Sequence, residues 1–200
     1  MSKVLFVNAC IRPASRTLEL AQELLKKLDG SVEEVNLYEQ SLPPLDMACL
    51  EKRDLASRTQ DFSDEAFKLA KQFAAADSIV IAAPYWDMMF PAVLKSYLEN
   101  ITVTGLTFRY SQEGRPESLC RAKLLCYVTT AGGPIGQNDF GFAYVKAMAQ
   151  NFFGISDVRR FSAEGLDIYG ADVQGIMARA KAAVTEPFEP FDSKEKTNNA

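Results

Sequence analysis

The sequence predicts an α/β fold: a three-layer sandwich in which a five-stranded parallel sheet carries helices on both faces. Two observations carry this expectation. Residues 78–83 (Ser78-Ile79-Val80-Ile81-Ala82-Ala83) and 123–128 are apolar at nearly every position, and a strand without alternation is one buried on both faces. Strand-like and helix-like segments also alternate along the whole chain as β-α-β-α-β-α-β-α-β-α, the order that gives parallel strands with helical crossovers. A chain of 200 residues is long enough to bury one full core, and residues 1–185 are expected to form a single domain.

The elements follow in order. Residues 4–8 form a short apolar strand. From Ser15 a helical pattern places Leu18, Ala21, Leu25 and Leu28 on one side, and Asp29-Gly30 is expected to close it. Residues 32–36 form a second, weaker strand. Residues 37–62, centred on Leu42-Pro43-Pro44-Leu45-Asp46, are long for a connection, so they either serve a function or contain a helix without a clear signal. Ser63 is expected to cap the next helix, with Asp64 and Glu65 in its first turn and Phe67, Ala70, Phe73 and Ala74 on its buried side. After the third strand, Pro91 suits the first position of a helix bearing Leu94, Tyr97, Leu98 and Ile101. Alternating Leu106, Phe108 and Tyr110 suggest a short hairpin inserted before the fourth strand at 123–128. Val145, Met148, Ala149 and Phe152 mark a helix, residues 158–161 a fifth strand, and Val173, Ile176, Met177, Ala180 and Val184 the last helix. The tail at 186–200, with Pro187 and Pro190, is expected to be mobile, although Phe188 and Phe191 offer apolar groups to a neighbouring subunit.

Composition narrows the function classes. A net charge of −4 and a pI near 5.0, with no basic stripe, argue against nucleic-acid binding. The apolar runs are far shorter than the roughly 20 residues of a membrane span, and the N-terminal run is too short for a signal peptide. Cys10, Cys49, Cys120 and Cys126 show no metal or redox spacing, which points to a reducing, cytoplasmic setting. Histidine is absent, which removes Ser-His-Asp and Cys-His nucleophiles. The chemistry must come from carboxylates, hydroxyls, thiols or a cofactor, and no metal site is expected.

In an open parallel sheet, ligands bind outside the carboxyl ends of the strands. Three loops there have unusual composition. After the first strand, Asn8-Ala9-Cys10-Ile11-Arg12-Pro13-Ala14-Ser15-Arg16-Thr17 leads into a helix whose free N–H groups suit a phosphate. There is no Walker lysine and no G-x-G-x-x-G, and Ser15 can equally be a plain helix cap. After the third strand, Pro84-Tyr85-Trp86-Asp87-Met88-Met89-Phe90-Pro91 suits a flat apolar ligand with polar edges, or else a subunit interface. After the fourth, Thr129-Thr130-Ala131-Gly132-Gly133-Pro134 allows close backbone approach, or is an ordinary turn.

Together with Ala82-Ala83-Pro84-Tyr85-Trp86, Pro91-Ala92-Val93-Leu94-Lys95-Ser96-Tyr97, Gly105-Leu106-Thr107-Phe108-Arg109-Tyr110, Gly132-Gly133 and Ala163-Glu164-Gly165, these segments give the chain its likeness. It resembles the FMN-dependent NAD(P)H:quinone oxidoreductases and azoreductases of flavodoxin-like fold, from the first strand to about Ala183. The resemblance implies strand order 2-1-3-4-5 and a homodimer with FMN near the subunit interface. It implies that Cys10, Ser15, Arg16 and Thr17 surround the FMN phosphate. Pro84, Tyr85, Trp86, Asp87 and Met88 would hold one edge of the isoalloxazine, and Thr130, Ala131, Gly132 and Gly133 the other side. Phe108 would help form the acceptor cavity.

The chain departs from the family pattern at Cys10 (a serine is usual), Asp87 (asparagine), Met88 (an aromatic) and Ala131 (a larger polar residue). An ionised Asp87 only accepts hydrogen bonds. The implied activity is ping-pong hydride transfer from NADH or NADPH to a quinone or azo acceptor, with the flavin and not a side chain as the reacting group. Rival classes are a flavodoxin-like single-electron carrier and, further off, a hydrolase of the acyl-carrier-protein phosphodiesterase type. Cys10, beside a helix N-terminus, invites a thiolate role against that of a small loop residue.

Overall fold

A computed structural model describes residues 2–137 and 139–185. Seven strands, β1 (Lys3–Asn8), β2 (Ser31–Asn36), β3 (Ser78–Ala82), β4 (Phe108–Tyr110), β5 (Pro116–Ser118), β6 (Leu124–Thr130) and β7 (Asp157–Ala163), accompany six α-helices. The helices are α1 (Arg16–Leu25), α2 (Met47–Thr59), α3 (Lys68–Ala75), α4 (Ala92–Ile101), α5 (Phe140–Asn151) and α6 (Val173–Thr185). Five strands form a parallel sheet in the order β2-β1-β3-β6-β7, and β4 and β5 pair antiparallel as a separate hairpin. Counting sheet strands alone, this is the expected order 2-1-3-4-5.

The pleat explains why β1, β3 and β6 lack alternation. Leu5, Val7, Ile79, Ile81, Leu125 and Tyr127 pack on one face against Ala70 and Phe73 of α3, Leu94, Tyr97, Leu98 and Ile101 of α4, and Val145 and Ala149 of α5. The intervening Val4, Phe6, Val80, Ala82, Cys126 and Val128 pack on the other face against Leu20, Ala21 and Leu24 of α1 and Met177 and Val184 of α6. Both strand faces therefore leave water, each large side chain contributing about 1.5–3 kcal/mol.

Several element ends differ from expectation. Residues 37–62 contain α2, capped by Asp46, whose Oδ1 accepts from Cys49 N–H at 2.8 Å. Its stripe is weak because Met47, Leu50 and Leu55 are exposed and only Ala56 is buried. Arg53 of α2 donates from Nη2 to the carbonyls of Glu99 (3.1 Å) and Asn100 (3.0 Å), tying α2 to the C-terminal end of α4. Ser63 is not a cap: Asp64 caps a 3₁₀ turn at Glu65–Phe67, accepting from Ala66 N–H, and α3 starts only at Lys68. The Asp64 carboxylate reaches the second N–H of the turn, which a serine one residue further out does not. Helix α1 stops at Leu25, before Asp29-Gly30, and Pro91 is the N-cap of α4 and not its first helical residue. Leu106 lies outside β4, which opens at Phe108. The expectations for the tail, with Phe188 and Phe191, fall outside the described residues.

Candidate functional site

The loops leaving β1, β3 and β6 meet at the carboxyl end of the sheet around a cleft of about 350 Å³, within the range of small-ligand sites. Cys10, Ser15, Arg16, Thr17, Pro84, Tyr85, Trp86, Thr130, Ala131 and Gly132 line it, ten of the residues singled out from the sequence. Ile11, Arg12 and Ala14 join them from the first loop, and Leu166 and Asp167 from the loop after β7.

The first loop is built by Asn8, 4% exposed at the end of β1. Its Oδ1 accepts from Cys10 N–H at 2.9 Å and its Nδ2 donates to Glu34 Oε1 at 2.9 Å. Ser15 is the N-cap of α1: its Oγ accepts from Leu18 N–H at 3.2 Å. The N–H groups of Arg16 and Thr17, in the first turn, have no partner within the helix and lie at its positive end. Thr17 is fully buried, its hydroxyl 2.6 Å from that of Thr130, which ties α1 to the end of β6. Thr17 thus lines the cleft with its hydroxyl engaged by the opposite wall.

Cys10 behaves otherwise than a helix N-terminus suggests. Its N–H is taken by Asn8 and its thiol lies 3.7 Å from the Ala82 carbonyl. Burial pushes the thiol up to about 11, so it stays protonated at neutral pH. Of the two readings of Cys10, burial favours the small loop residue over the thiolate. Burial likewise pushes Cys120 and Cys126 up to about 12.

The turn after β3 is closed by Trp86 N–H to the Met89 carbonyl (2.9 Å) and Met89 N–H to the Trp86 carbonyl (2.8 Å). Its two central residues, Asp87 (φ 51°) and Met88 (φ 65°), are both left-handed without a glycine, a conformation that costs about 1–2 kcal/mol per residue. Trp86 faces the cleft and stays 38% exposed. Asp87 and Met88 sit at the turn's tip, outside the cleft lining, as does Gly133. Phe108 is not at the cleft either: it is 4% exposed and packs edge-on to Tyr110 and Phe152 beneath the hairpin.

The β7–α6 loop was not expected as a wall. Gly165, Leu166 and Asp167 N–H donate to the carbonyls of Gly133 (3.2 Å), Ala131 (3.2 Å) and Gly132 (2.9 Å). Asp167 Oδ1 accepts from Arg16 Nη1 at 2.9 Å. A Cβ on Gly132 would lie 2.5 Å from Asp167 Oδ2, so the glycine makes room for this carboxylate. The motif Ala163-Glu164-Gly165 was the available signal: Glu164 Oε2 accepts from Ile135 N–H at 2.9 Å, bracing the same loop pair. Arg12, in contrast to Arg16, forms no ion pair among the described residues.

A family described as having a flavodoxin-like fold matches residues 2–187. An FMN-dependent NADH:quinone oxidoreductase 2 of Clostridium acetobutylicum is 32% identical, covering 96% of this chain and 100% of the relative. The chain belongs to the flavodoxin-like family of FMN-dependent NADH:quinone oxidoreductases. Another member, the FMN-dependent NADH:quinone oxidoreductase of Lachnoclostridium phytofermentans, is 36% identical over 90% of this chain and 95% of its own length. Among solved structures, an azoreductase from Bacillus anthracis superposes with a TM-score of 0.80 at 27% identity, over 92% of this chain and 97% of the other. Among the described residues, no helix of this family member is long and apolar enough to cross a membrane.

Proposed function

We propose that this protein is an FMN-dependent oxidoreductase that moves two electrons from NADH to a quinone or an azo compound. The observation that carries the reading is the cleft itself. It combines a helix N-terminus whose first N–H groups have no partner within the helix, an Arg12 without an ion pair among the described residues and the indole of Trp86. That donor set fits a phosphorylated flat ring at both of its ends.

In this reading the N–H groups of Arg16 and Thr17 and the guanidinium of Arg12 hold the FMN phosphate. Ser15 fixes the helix end and does not itself donate, and Cys10 supplies shape. Pro84, Tyr85 and Trp86 line one side of the ring, Thr130, Ala131 and Gly132 the other. Asp87, Met88 and Gly133 approach from the rim. Bound FMN would supply two-electron redox chemistry between NADH and the acceptor. The protein's own work is to orient and to exclude water: the Thr17–Thr130 bond fixes the two walls relative to each other, and the apolar side chains shield the ring.

The protein is proposed to act as a cytoplasmic homodimer. Ile11 (54% exposed), Met88 (44%) and Ile168 (55%) surround the cleft as uncovered apolar groups, which suit cover by a second subunit. Such a subunit would also bring a second wall to a cleft from which Phe108 is remote. Titrating apo-protein with FMN while following fluorescence tests the binding. Trp86 is the chain's one tryptophan, so saturable quenching at one FMN per chain is expected, and fluorescence unchanged by FMN would overturn the reading.

A further inference from the structure

Asp167 presents an acid where the reading above needs a phosphate. Its carboxylate lies across the cleft from one wall to the other, bonded to Arg16 Nη1 at 2.9 Å and seated against Gly132. Three backbone hydrogen bonds fix the 165–167 segment onto 131–133, which holds the residue beside Arg16. Arg16 Nη1 is also 3.5 Å from the Leu166 carbonyl, so the same loop claims it twice. Among the cleft-lining residues, the fixed charges are Arg12, Arg16 and Asp167, and Asp167 cancels one of the two cations.

We propose that Asp167 is a specificity-determining residue that competes with the cofactor's phosphate monoester for Arg16, and so sets how strongly the cleft favours FMN over unphosphorylated riboflavin. The proposal rests on the FMN reading above. A phosphate entering at the α1 N-terminus carries close to two negative charges at neutral pH. It meets Arg12 free, and Arg16 only after the Asp167 pair opens. The ion pair is exposed, with Arg16 and Asp167 side chains 42% and 71% accessible, so its release is cheap and the effect on affinity modest. The carboxylate keeps the cofactor exchangeable instead of maximally tight.

The test is titration of the full-length wild type, Asp167→Asn, Arg16→Ala and the double variant with FMN and with riboflavin. Asp167→Asn is expected to tighten FMN by about threefold to fivefold while leaving riboflavin within about twofold. The gain should shrink at high salt and vanish in the Arg16→Ala background. Weaker FMN binding in Asp167→Asn would make the carboxylate a direct acceptor for the ligand and overturn the competition. An equal gain for riboflavin, or a gain that persists without Arg16, would do the same. If the wild type binds neither flavin, the functional reading fails separately, and inorganic phosphate becomes the probe. Greater thermal stabilisation by phosphate in Asp167→Asn than in wild type would then support the competition, and equal stabilisation would overturn it.

Discussion

Replacing Thr17 by valine removes one hydroxyl from the joint between α1 and β6 while keeping the side chain's shape. The side chain is fully buried and its oxygen lies 2.6 Å from Thr130 Oγ1, so no cavity forms and the loss is electrostatic. A neutral hydrogen bond contributes about 0.5–1.5 kcal/mol net, and the stranded Thr130 hydroxyl, only half-buried, adds a partial desolvation cost. Thr17→Val is therefore expected to lose about 1–2 kcal/mol, which in a domain of this size lowers Tm by roughly 3–6 °C. Thr130→Val should cost a similar amount or less. The double variant should fall short of the sum by about 0.5–1.5 kcal/mol, because neither hydroxyl is then stranded. Urea unfolding of the apo-protein, followed by far-UV circular dichroism on all four proteins, measures this coupling. Strict additivity, or a Thr17→Val midpoint equal to wild type, would refute the view that this bond joins the two walls of the cleft.

Met88→Gly should raise stability by about 0.5–1 kcal/mol in the same assay: it relieves the left-handed strain at φ 65°, partly offset by the freer unfolded chain. Arg53→Met should lose about 1–2 kcal/mol, since its guanidinium bonds two carbonyls at the end of α4; an unchanged urea midpoint would show those bonds to be idle. Alkylation of the folded protein near neutral pH, mapped by mass spectrometry, should modify Cys49 first. Cys10, Cys120 and Cys126 should react only on unfolding, because burial raises their thiols to about 11, 12 and 12. A raised folded pKa means that these thiols stabilise the fold below the ordinary value of 9.0 and lose that contribution as pH climbs through the folded values. Urea midpoints should accordingly drop above about pH 9, and flat midpoints there would count against the buried thiols.

Much of the fold was legible because its signals are local or periodic. β3 and β6 read as buried strands since each of their apolar side chains enters one of two cores, and the Ser15 cap stands in the sequence as written. The buried stripe of α1 instead runs through Leu20, Ala21 and Leu24, and of the expected Leu18, Ala21, Leu25 and Leu28 only Ala21 is fully buried. Helix α2 escaped because it turns Met47, Leu50 and Leu55 outward, leaving only the Asp46 cap as a signal. The β1, β3 and β6 walls of the cleft were legible from topology, because parallel sheets bring those loops to one end. The fourth wall was not: Asp167 reaches Arg16 across 151 positions of sequence, and the neighbouring Ala163-Glu164-Gly165 motif marks the loop without showing that it meets α1. Phe108 was placed at the acceptor cavity by resemblance, whereas its position under the hairpin depends on Phe152, a contact that local alternation cannot specify.

The central claim is two-electron transfer through a bound flavin, and anaerobic addition of NADH to the FMN-loaded protein tests it most directly. Direct bleaching of the flavin absorbance, with no long-lived semiquinone and with colour restored by one equivalent of quinone, is the result this account predicts. Flavin that binds but stays oxidised in excess NADH, or that stops at a stable one-electron state, would contradict it.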